Sequence, residues 1–158
     1  MSLAQISTAL WRERNLLEML LFKLEEEQLL LAAGKTRWLA PATREVEAVL
    51  EEIKHTELLR AALVEAEASS MHLGANPSLR ALAAAAPAPW DDLFEEHRQA
   101  FLELTDEIST LAMMNKELLA RGSAAAKDLL ARASREKSAG MRPGAVPTEG
   151  SFLVDQAL

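Results

Sequence analysis

The sequence of 158 residues has no cysteine and no tyrosine, only three histidines, and aromatics at 4%. Without cysteine there is no disulfide frame, no thiolate metal site and no cysteine nucleophile, a composition that suits a reducing compartment. His55, His72 and His97 are scattered along the chain. Glu52 and His55 form one Glu-x-x-His, an element that di-iron helical bundles use twice. The second copy is missing, because Ser69 and Phe94 stand three residues before the other histidines, so the pair reads as a solvated helix face. Gly34-Lys35-Thr36 lacks the preceding glycine of a phosphate loop, since Leu29 occupies that place. No nucleophile elbow, zinc-protease helix or dinucleotide loop occurs. The sequence argues against an enzyme and implies no metal and no cofactor.

Positive charge is scarce as well. Lys and Arg number 17 against 24 Asp and Glu, for a net charge of -7, which disfavours nucleic acid and anionic membrane surfaces. The most apolar stretch, 16–24, is broken by Glu18 and Lys23 and falls short of the roughly 20 apolar residues of a membrane span. Arg12, Glu13 and Arg14 interrupt the first apolar run, so no secretory leader is read there. The expectation is a cytoplasmic protein without membrane insertion.

What the chain has in abundance is Leu, Ala and Glu at helical spacing. The pattern predicts an all-α fold, an elongated antiparallel helical bundle or coiled coil of three long helices plus one short one, at about 2–33, 38–70, 78–86 and 91–137. These make one domain, 1–138, followed by a flexible tail, 139–158, that Gly140, Pro143, Gly144, Pro147 and Gly150 keep from being helical. The first helix is apolar on two sides, which places it centrally or gives it a second partner. The stripe of the second helix, Leu39 to Ile53, continues on a rotated face through Leu59, Ala62, Leu63 and Ala66, so a bend or change of partner is expected near His55. Asn76 and Pro77 read as the start of the short helix, and Asp92 with Glu95 as a capping box for the last one.

That last helix carries the most regular signal. Phe94, His97, Phe101, Leu104, Ile108, Leu111, Asn115, Leu118, Gly122, Ala125 and Leu129 alternate by three and four, as a helix-packing seam does. Asn115 is a register device or a partner contact, and Gly122 leaves a notch for another backbone. Met113, at the outward f position, and Met114, beside the seam, add adaptable apolar surface that one partner helix would not cover. Leu111, Met113, Met114, Asn115, Leu118, Leu119, Gly122 and Ala126 are therefore the expected partner-binding residues. Phe152, Leu153 and Val154 form an apolar cluster near the end of the tail, expected to fold back into the same groove as a tethered competitor.

The Leu/Glu-rich opening pair of helices, from Leu10-Trp11-Arg12-Glu13-Arg14 through Glu25-Glu26-Glu27 to Gly34, resembles that of the FlgN-type flagellar export chaperones. Asn115-Lys116-Glu117-Leu118-Leu119 is similar to the family's Asn-x-x-Leu-Leu stretch, and a low-complexity tail closes the chain. The likeness covers roughly 4–136. Family members often carry a Tyr-Gly element in the tail, which this chain lacks. The resemblance implies a cytoplasmic chaperone that binds the C-terminal helices of hook-filament junction proteins, keeps them unpolymerised and delivers them to export apparatus components. Two other readings are a scaffold whose last seam pairs with its own copy, and a di-iron bundle enzyme.

Overall fold

The computed structural model describes residues 2–137. Four α-helices form: α1 (Ser2–Ala32), α2 (Leu39–Ala68), α3 (Leu79–Ala85) and α4 (Trp90–Lys137), with a 3-10 turn at Thr36–Trp38. Among the described residues there is no strand, and no helix is long and apolar enough to cross a membrane. The expected tail lies outside the described residues.

α1 is the shared element. Gly34, at φ +67°, ends it in the left-handed region that glycine enters without steric cost, and the chain reverses into α2. Lys23 meets Glu45 at 2.9 Å while Arg12 lies 3.7 Å from Glu52, so α2 runs antiparallel to α1. On its other side Trp11 packs edge-on against His97 and Gln28 reaches Met114, so α4 runs parallel to α1. Both partners share the one face of α1 that carries Ile6, Leu10, Leu17, Leu20 and Leu24, which makes the helix central; of its opposite apolar residues Met19 is exposed and Leu16 and Leu30 are half-buried. Ile6, Leu10, Leu17, Leu20 and Leu24 of α1 meet Ile53 of α2 and Phe94, Phe101 and Ile108 of α4 in the core, all nearly inaccessible.

α2 ends, and α4 begins, beside the N-terminal part of α1, so residues 69–89 only cross that end of the bundle. Within this connection α3 packs on α4 through Leu79, Leu82 and Ala83. The short helix is capped by Ser78, whose Oγ accepts from the Ala81 N–H at 3.1 Å; Asn76, the expected cap, instead sits at φ +53°. Nor does the capping box form: α4 starts at Trp90, and Glu95 accepts from Arg98 and Gln99.

The second half of α2 departs from expectation. Thr56, Arg60, Val64 and Ala68 carry the buried stripe straight on from Ile53, while Leu58 and Leu59 are exposed. The stripe does not rotate; polar residues occupy it. Arg60 is held there by its ion pair with the buried Glu13 at 3.1 Å and lies over the Phe101 ring at 5.9 Å.

Candidate functional site

α4 behaves as two segments with one pattern. Phe94, His97, Phe101, Ile108, Leu111 and Asn115 are buried, with Leu104 partly buried against the same core. Leu118 is half-buried, and every residue from Leu119 to Lys137 is exposed except the half-buried Ser134. The reason is length. Asn115 lies beside Leu24 and Glu27, and Met114 beside Gln28, while α1 ends at Ala32. At equal rise, α1 stops level with roughly residue 120 of α4, which then continues for about 25 Å without it.

The seam does not stop where its partner does. Leu118, Leu119, Gly122, Ala126, Leu129 and Leu130 fall within one face of α4 by helical spacing, and that face continues the buried one. Leu129 is 67% and Leu130 64% exposed. A Cβ added at Gly122 would meet nothing within 4 Å, so the notch faces open space. Met114 is exposed beside the start of this stripe, and Met113 is exposed on the outward side of the helix.

The expected site residues therefore divide. Leu111 and Asn115 are committed to the protein's own interior, Leu118 lies at the boundary, and Met113, Met114, Leu119, Gly122 and Ala126 are accessible. Leu129, a member of the predicted seam, and Leu130, which ends the stretch 111–130, join them as accessible residues of the same stripe. Phe152, Leu153 and Val154 lie outside the described residues.

Asn115 marks where the covered seam ends. Its Nδ2 donates to the Leu24 carbonyl at 2.9 Å and to Glu27 Oε1 at 3.1 Å, while Glu27 Oε2 accepts from Thr43 Oγ1 at 3.1 Å. A polar chain thus ties α4 to α1 and α1 to α2 at the last level where all three lie together.

Nearer the other end is a second buried polar level. Burial pushes the Glu13 carboxyl up to about 7, a rise that Arg60 offsets only in part and Glu57 reinforces. His97 is 1% exposed, with neither ring nitrogen hydrogen-bonded; burial and then the charge of Arg14 hold it below the usual histidine range. These groups lie within the helix interface, and the arrangement is structural. Glu52 of the lone Glu-x-x-His pairs with Arg12, and among the described residues no three His, Asp or Glu side chains converge as a metal site would require.

Comparison with known proteins finds one family. A family model described as FlgN protein matches residues 1–141. No curated protein and no solved structure matches the chain.

Proposed function

The chain belongs to the FlgN family, a family of flagellar export chaperones, and from this we propose that it holds the C-terminal helical segments of hook-filament junction proteins in the cytoplasm before their export. The observation that carries the reading is the overrun of α4, whose packing face continues past the end of α1 with Leu119, Leu129 and Leu130 uncovered. An amphipathic client helix laid along that face would bury anchors at three- and four-residue spacing, as helix-in-groove partners do. Gly122 would admit its backbone closely, and Met114 at the border of the face would adjust to more than one client contour. A client so held hides the apolar stripe it needs for polymerisation and reaches the export apparatus unassembled. No group in the site is arranged for bond-breaking chemistry, and the reading requires none.

The test is calorimetric titration of the purified chain with the C-terminal segments of hook-filament junction proteins. One-to-one saturable binding that Leu129→Asp with Leu130→Asp abolishes, with the thermal transition unchanged, is the expected result. Absence of binding together with a concentration-dependent dimer through the same stripe would replace the chaperone reading with that of a self-associating scaffold.

A further inference from the structure

The uncovered stripe has charged borders. Between Leu118 and Lys137 there are five cations, Arg121, Lys127, Arg132, Arg135 and Lys137, against Asp128 and Glu136. On helical spacing Arg121 and Arg132 run along one side of the stripe, with Asp128 next to Arg121 on its outer side, and Lys127 runs along the other, while Glu136 and Lys137 fall in the line of the stripe beyond Leu130. A second copy would set like charges against each other along these borders. An apolar segment flanked by carboxylates would not.

The chain carries such a segment. Phe152, Leu153 and Val154 follow Glu149 and precede Asp155, in a sequence beyond the described residues. Phe152 is 15 positions after Lys137, a tether that reaches at most about 50 Å and has a root-mean-square span of roughly 20 Å when flexible. From Lys137 back to Leu130 is about 10 Å along the helix, and to Leu118 about 28 Å. The tether is neither too short to return nor so long as to dilute its end.

We propose that the segment 149–155 is the resident occupant of the α4 stripe in the client-free protein. Phe152, Leu153 and Val154 cover part of the face between Leu118 and Leu130, and Glu149 and Asp155 lie toward its cationic borders. A client enters by displacing the segment, so the tail sets a threshold for capture and shields the stripe until a client is present. Only this competition rests on the stripe being the client seat; the occupancy does not.

Amide hydrogen exchange without client tests the occupancy, comparing the full chain with one that lacks 151–158. Deletion should speed exchange at Leu118–Leu130 about two- to tenfold, as expected for an intrinsic Kd of about 0.1–1 mM at an effective concentration near 1 mM, and leave α1 and α2 unchanged. Phe152→Ser, Leu153→Ser and Val154→Ser together, which keep the length, should reproduce the change. Equal exchange in both chains overturns the proposal, as does protection that grows with protein concentration, which would assign the stripe to a second copy. Deletion should also tighten client binding by the same factor. A tail effect on exchange with no client binding to either chain would uphold the occupancy and remove the chaperone reading instead.

Discussion

Arg60 Nη1 stands 3.1 Å from Glu13 Oε2, with both side chains less than a tenth exposed, and this ion pair links α2 to α1 beneath the Phe101 ring of α4. Burial of the Glu13 carboxyl outweighs the attraction of the guanidinium beside it, and with Glu57 nearby its pKa is pushed up to about 7. Arg60→Met should therefore destabilise the protein by about 3–5 kcal/mol, because it leaves a buried carboxyl unpaired. Glu13→Leu combined with Arg60→Met should recover most of that loss. Urea unfolding of both variants checks it, and a double variant as weak as the single one would show that the pair itself is stabilising.

The same carboxyl fixes a pH dependence. Its folded pKa is raised from 4.5 to about 7, so the native state binds the proton more tightly than the unfolded chain does. Its contribution is fully present below pH 4.5 and is lost as pH rises through about 7, on the order of 3 kcal/mol in all. The unfolding free energy of the native sequence minus that of Glu13→Gln should fall across this window.

His97 has the opposite sign. Its folded pKa is lowered, so its contribution is present above 6.5 and is lost as pH falls below that value. Replacing it with Phe should remove this acid sensitivity and make the decline caused by Glu13 steeper just below pH 6.5. Matched denaturant series at several pH values would show it.

Asn115 and Gly122 should separate stability from binding. Asn115→Ala removes both interhelical hydrogen bonds and leaves Glu27 short of a donor, at a cost of about 1–3 kcal/mol in urea unfolding.

Gly122→Ala should instead raise helix stability by about 1 kcal/mol, since the added methyl meets nothing. If a client backbone approaches at that notch, the same variant should weaken client binding in calorimetry. Unchanged affinity would put the contact on Leu119, Leu129 and Leu130 alone.

The helices and their order were legible in the sequence because Leu and Ala recur at helical spacing. Asn115 could be singled out because it interrupts an otherwise mostly apolar row. What pattern reading lost were the polar residues that behave as core. Ile6, Leu10, Glu13, Leu17, Leu20, Leu24 and Glu27 are all buried and alternate by four and three without a slip. Two of the seven positions hold carboxylates, which hydropathy assigns to solvent. Thr56 and Arg60 hid the continuation of α2 in the same way, and Leu59, Ala62 and Ala66, all exposed, supplied a false stripe. The packing face of α4 was legible in its residues but not the point where its cover ends. A seam looks the same whether or not a neighbour lies against it, and only the register of α4 on α1 shows where the neighbour ends.

The overrun of α4 also changes what order costs. A free segment of 17 residues matching Arg121–Lys137 would be marginal as a helix in water, because its first turn must form with little return. Here that turn is already built, since the segment grows out of a helix clamped by α1. Propagation is all that is left, at close to zero free energy per residue. The segment can therefore lengthen or fray from its far end by small steps, and a ligand of any length draws only on the turns it covers. If the stripe holds a client as proposed, one clamped half and one extensible half in a single helix would let the protein grade its grip without a hinge.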